Sequence, residues 1–126
     1  HGARLLLDTH VFLWWRAADR RISRRVRDAI ASADVVLVSA ATAWEASIKA
    51  ALGRLSIPES VEAGVVSSGF ERLPITFAHA EAAGRLPSHH ADPFDRRLIA
   101  QARLEGLTLV THDQQFQAYD VPIDWV

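Results

Sequence analysis

Three short apolar runs constrain this chain more than any other feature: Leu5-Leu6-Leu7, Val35-Val36-Leu37-Val38 and Leu107-Thr108-Leu109-Val110. Each lacks the polar alternation of a half-exposed strand and reads as a strand covered on both faces. Between the runs the hydrophobic period becomes that of a helix. Ser23 begins a pattern carrying Val26, Ile30 and Ala33, and Ala40 begins another through Ala43, Trp44, Ile48 and Leu52 to a stop at Gly53. Pro58 is read as the start of a third helix, with Val61, Val65 and Val66. Residues 77–86 form a fourth, and Asp92-Pro93 opens a fifth with Leu98, Ile99, Ala102 and Leu104 before Gly106. Ile123-Asp124-Trp125 adds a short final strand. Strands alternating with helices predict an α/β fold, three layers deep, with a mostly parallel central sheet.

The 126 residues show no repeat, linker or low-complexity tract, so residues 3–126 are expected to form one domain. His1-Gly2, heading a chain without methionine, reads as a cloning remnant. The absence of cysteine excludes a disulfide framework and thiolate metal sites, and fits the reducing cytoplasm expected here. No apolar run approaches the roughly 18 residues of a membrane span. With a net charge of −1, any nucleic-acid contact must use a local patch. Lys49 is the only lysine, whereas Arg16, Arg20, Arg21, Arg24, Arg25 and Arg27 crowd into one stretch. Such forks fit phosphate or carboxylate, but a charge cluster alone is more simply a solvated face.

The acids fall in a telling place. Asp8 ends the first strand, and Asp113 closely follows the late one. Ligands of open α/β sheets bind beyond the carboxyl ends of the strands. Glu45, early in the helix after the second strand, belongs to that edge, as do Asp92 and Asp95 at the start of the fifth helix. Each has a plainer explanation. Asp92 before Pro93 fits an N-cap, and Asp95 then suits the helix dipole. Glu45 with Lys49 is an i,i+4 ion pair. Asp113 fits a turn. Asp8 resists such treatment, because a carboxylate ending a buried strand is costly without a partner. The convergence of five carboxylates on one edge argues for a cation between them. All-oxygen donors suit Mg²⁺ or Mn²⁺, and His89, His90 and His112 match no familiar zinc spacing. A carboxylate-held divalent ion accepts phosphate oxygens, which points to phosphodiester hydrolysis.

Four stretches resemble the motifs of the PIN-domain nucleases. They are Leu5-Leu6-Leu7-Asp8-Thr9-His10, the stretch from Ser39 through Trp44-Glu45 to Ile48-Lys49, the stretch from His89 through Asp92-Pro93-Phe94-Asp95-Arg96 to Ala102, and Leu109-Val110-Thr111-His112-Asp113. Their order and the Asp-Pro-Phe-Asp-Arg form most resemble the VapC toxins of type II toxin–antitoxin systems. The resemblance implies a Mg²⁺- or Mn²⁺-dependent endoribonuclease acting on transfer or ribosomal RNA, homodimeric, and silenced by a VapB-type antitoxin. It assigns metal binding and catalysis to Asp8, Glu45, Asp92 and Asp113. Asp95 competes with Asp92 for the third place, one binding directly and the other through water. Thr111 is expected to orient Asp113 or a water, and Arg96, Arg97 and His90 to contact RNA.

Trp14 and Trp15, adjacent on a helix, diverge by about 100° and cannot share one core. One is expected inside and the other against a dimer mate or the antitoxin. Trp44 could stack on a base, but core packing with Ala41, Ile48 and Leu52 is the favoured expectation. The apolar stretch 61–70 is a candidate antitoxin groove. Competing readings are a phosphoacceptor signalling domain, a catalytically idle binding module, and a PIN-like nuclease acting on DNA or structured nucleic acid. The first needs a lysine reaching the phosphate, and Lys49 stands at ion-pair spacing from Glu45.

Overall fold

Leu5, Leu6 and Leu7 are almost wholly buried, because β1 (Arg4–Leu7) has a strand on either side and helices on both faces. The computed structural model describes residues 2–89 and 92–126. β2 (Val35–Ser39) and β4 (Thr108–Thr111) flank β1, and β3 (Glu71–Leu73) and β5 (Ile123–Trp125) form the edges, in the order β3-β2-β1-β4-β5. Every pairing is parallel. All carboxyl ends therefore lie along one edge.

Side-chain alternation divides the core between the two faces. Leu5 and Leu7 pack with Phe12, Ile30 and Val65 beneath α1 (Thr9–Arg16), α2 (Arg24–Ser32) and α4 (Val61–Ser67). Leu6 and Leu109 pack with Leu98, Ile99 and Phe116 beneath α6 (Pro93–Glu105), which carries α5 (Phe77–Arg85) on its flank. α3 (Ala40–Ala51) straddles the two, sending Ala41 to one cluster and Ala46 to the other. The result is the three-layer α/β fold that the alternation predicts.

Local chemistry sets most boundaries. Ser23, Ser39, Ser60 and Thr76 each cap a helix by accepting a backbone N–H from its first turn. α6 ends at Gly106, whose φ of 67° is left-handed. Two expectations need correction, and two elements went unread. Pro58 does not start a helix, since Ser60 supplies the cap and α4 begins at Val61. α1 and β3 both escape the hydrophobic pattern: α1 follows β1 after Asp8 alone, and β3 is an edge strand with Glu71 and Arg72 exposed. Finally, α3 presents the opposite face from the one expected. Ala41, Thr42, Glu45 and Ala46 are buried, whereas Trp44, Ile48 and Leu52 are exposed. Both sets have helical spacing, and small or hydrogen-bonded residues are what let α3 sit close over the sheet edge.

Of the two adjacent tryptophans, Trp14 is buried against His112, and Trp15 is half-buried against Phe70. In the arginine cluster, Arg16 pairs with Glu59, Arg21 with Asp19 and Arg25 with Asp124. These are exposed, ion-paired side chains, as the solvated-face reading has it.

Candidate active site

Beyond the carboxyl ends of β1 and β4 lies a pocket of about 320 Å³, and Asp8, Glu45, Asp92, Asp95 and Asp113 all line it. The topology brings them together. Asp8 is the single residue between β1 and α1, whose N-terminus it caps by accepting the Val11 N–H at 3.1 Å. Asp92 caps α6 through the Phe94 and Asp95 N–H groups, at 2.8 and 3.2 Å. Asp113 caps the 3₁₀ turn after β4 by accepting the Gln115 N–H at 3.0 Å. For Asp92 and Asp113 the cap and site readings are compatible, because a helix N-terminus facing this edge puts its capping carboxylate at the pocket.

Two hydrogen-bond networks hold the buried acids. Thr111 donates its hydroxyl hydrogen to the Asp8 carboxylate, and its oxygen accepts the Asp113 N–H at 3.1 Å. One fully buried side chain thus ties together the first and fourth acidic segments. Burial, only 4% of Asp8 being exposed, pushes its carboxyl above the ordinary value. The Thr111 hydroxyl, the Val11 N–H and the charge of His10 pull less strongly the other way. Across the pocket, Glu45 is equally buried: Oε1 accepts the Thr9 hydroxyl at 2.7 Å and Oε2 accepts Lys49 Nζ at 2.7 Å. Thr42 lies 3.1 Å from the Thr9 hydroxyl and completes this cluster.

The donor set fits a hard divalent cation in its chemistry, with five carboxylates and no thiolate around one pocket. Among the described residues, no three of these side chains stand close enough to ligate one ion as placed. The carboxylates converge on a pocket and are held mainly by their own networks.

The remaining expected residues divide. Arg96 does not reach into the pocket. Its guanidinium donates to the carbonyls of Ala83, Leu86 and Pro87 at 2.9, 2.8 and 3.0 Å, which fastens the end of α5 to α6. Arginine matches several carbonyls at once, and a helix C-terminus offers them unpaired. Arg97 is not among the pocket-lining residues either: it donates to the Pro93 carbonyl at 2.7 Å, and its guanidinium lies 5.1 Å from the Trp44 ring centroid. Trp44, with its side chain in the open rather than the core, meets Phe94 edge-to-face at 5.1 Å. His90 lies outside the described residues, and His89 packs against Tyr119. Thr9, Thr42, His10 and Gln114 were not foreseen as parts of the site. Adjacency to the acids was the signal for His10 and Gln114. For the two threonines the signal was a hydroxyl on an otherwise apolar helix.

The PIN domain family model matches residues 5–122. The chain belongs to the PIN-domain family. This PIN domain is of the VapC type: it is 34% identical over 121 residues to ribonuclease VapC22 of Mycobacterium tuberculosis, covering 94% of this chain and 93% of that protein. Its fold is that of VapBC2 from Rickettsia felis, solved bound to a DNA fragment from its promoter. There the TM-score is 0.71 at 14% identity, over 95% of this chain and 96% of the other. Mycobacterium tuberculosis VapC20, a sarcin–ricin loop cleaving toxin, superposes with a TM-score of 0.62 at 18% identity, over 93% of this chain and 95% of that one. At such identities the structural likeness establishes the PIN fold alone.

Proposed function

We propose that this PIN domain, as a single nuclease domain over residues 3–126, is a Mg²⁺- or Mn²⁺-dependent endoribonuclease. In this reading it is the toxin of a VapBC pair, a cytoplasmic homodimer neutralised by a VapB-type antitoxin and acting on transfer or ribosomal RNA. The observation that carries the reading is the convergence of five carboxylates from four separate segments on one pocket, with Asp8 buried among them. The names of VapC22 and VapC20 support RNA as the substrate. The VapBC complex of the same fold supports an antitoxin partner. A groove along α1, lined by Leu13, Leu55, Ile57 and Val61, offers an apolar seat for that partner.

Asp8, Asp92, Asp95 and Asp113 are the proposed holders of the cation, and Glu45 completes the set from the opposite wall. When bound, a divalent ion supplies Lewis acidity at the phosphodiester and lowers the pKa of the attacking water. Thr111 keeps Asp8 and Asp113 in register. Thr9 and Lys49 keep Glu45 turned to the pocket wall. Water attacks phosphorus and gives up a proton as the P–O3′ bond breaks, leaving a 5′-phosphate, while the departing 3′ oxygen takes up a proton to become a hydroxyl.

Incubating purified total RNA with Mg²⁺, Mn²⁺ or EDTA, alongside Asp8→Asn, tests the reading. Discrete metal-dependent fragments that vanish in the variant are the expected result. No cleavage by folded protein under any condition would remove it and favour the idle or DNA-directed readings.

A further inference from the structure

We propose that Lys49 contacts the scissile or an adjacent phosphate of the substrate, an assignment that rests on the phosphodiesterase reading above. Of the residues lining the pocket, Lys49 alone carries a full positive charge at neutral pH when the histidines are neutral, against five carboxylates. A polyanion entering this pocket meets a strongly negative wall apart from that ammonium and any bound cation.

The geometry prepares Lys49 for the task. An ammonium has three N–H donors. Among the described residues Lys49 uses one, to Glu45 Oε2 at 2.7 Å, and its side chain remains 34% exposed beside the pocket. Glu45 is itself fixed, buried and bonded to Thr9, which lies against Thr42. The ion pair therefore ends in a rigid carboxylate, so the ammonium is held in place with two donors left for a ligand.

Residue choice points the same way. In a chain whose other basic side chains are all arginine, the pocket position holds the sole lysine. An arginine fork tends to close on a carboxylate through two parallel bonds, whereas a lysine holds it with one N–H and turns the others outward. An i,i+4 ion pair made only for helix stability needs neither a buried acid nor a place in the catalytic pocket.

The experiment measures anisotropy of a labelled, mixed-sequence single-stranded RNA across a range of NaCl concentrations, in EDTA and again with Mg²⁺. Asp8→Asn serves as the non-cleaving parent. Adding Lys49→Met is expected to weaken binding about tenfold, the worth of one charge-assisted hydrogen bond. It should also lower the slope of log K against log salt by about 0.7, one phosphate contact on a single strand. Lys49→Arg should retain most of the slope. Because Lys49→Met leaves a buried carboxylate without its cation, the pair Glu45→Gln with Lys49→Met is measured as well. That pair keeps the pocket's net charge, so a slope still reduced by about 0.7 supports direct contact. A slope restored to the parental value means a field effect only and overturns the proposal. An unchanged slope in folded Lys49→Met overturns it too. If the parent binds no RNA, both this assignment and the ribonuclease reading fall.

Discussion

Replacing Thr111 with valine tests how far this site depends on one hydroxyl. The side chain is buried, and valine matches its shape, so packing is nearly conserved. Two hydrogen bonds disappear: the one donated to Asp8, and the one accepted from the Asp113 N–H at 3.1 Å. A bond to a charged group contributes roughly 1.5–3 kcal/mol, and a buried N–H left unpaired costs about 1–3 kcal/mol. Since the Asp113 N–H is only partly buried, the low end applies there, and the expected loss is about 2–4 kcal/mol at pH 7. For a domain of 126 residues this lowers Tm by about 8–15 °C.

The loss should depend on pH, with a definite sign. Asp8 already titrates above its ordinary value because burial outweighs its hydrogen bonds. The native state thus binds that proton more tightly than the unfolded chain. Stability falls as pH rises from the ordinary carboxylate value through the raised one. Losing the Thr111 bond raises the native value further, so the Thr111→Val deficit grows with pH across that window and shrinks where Asp8 is protonated in both states. Urea unfolding in EDTA from acid to neutral pH measures it, with Thr111→Ser as the conservative control. A deficit below about 0.5 kcal/mol, or one independent of pH, would refute the assignment of Thr111 as the partner of ionised Asp8.

Three further predictions concern Trp44, Arg96 and Gly106. Trp44→Leu should raise KM by about 5- to 150-fold, the range for loss of one stacked base, with little change in kcat; steady-state cleavage of a defined RNA checks this. Arg96→Ala should lower stability by about 2 kcal/mol in thermal melts and leave kcat within about threefold, because among the described residues its guanidinium bonds backbone carbonyls at the end of α5 and just beyond it. Gly106→Ala should cost roughly 1–2 kcal/mol by denaturant titration, since φ is 67° and the new Cβ meets nothing nearer than Arg4 at 3.8 Å.

The strands and acids were legible for one reason: both express burial and position, which a single chain displays. Apolar runs ending beside Asp8 and just short of Asp113 specify a parallel sheet with acids along one edge. β3 was hidden because Glu71 and Arg72 lie on an exposed edge, and its pairing with β2 alone makes it a strand. The orientation of α3 was ambiguous because two stripes share one period. What settled it was tertiary, the fit of Thr42 and Glu45 against Thr9 from another helix. Arg96 was misplaced for a similar reason. Proximity in sequence to Asp95 suggested the pocket, whereas the unpaired carbonyls ending α5 come from elsewhere in the chain.

The bond from Thr111 to Asp8 spans 103 positions of sequence. On a ribosome, Asp8 emerges early but has neither its hydroxyl partner nor the β4 neighbour of its strand until nearly the whole domain has been made. Translation therefore acts as a timer: a nascent or prematurely ended chain carries the first acid of the site without the fourth. For a proposed nuclease whose substrate class would include the RNA of the machine synthesising it, competence arrives only as that machine finishes the domain.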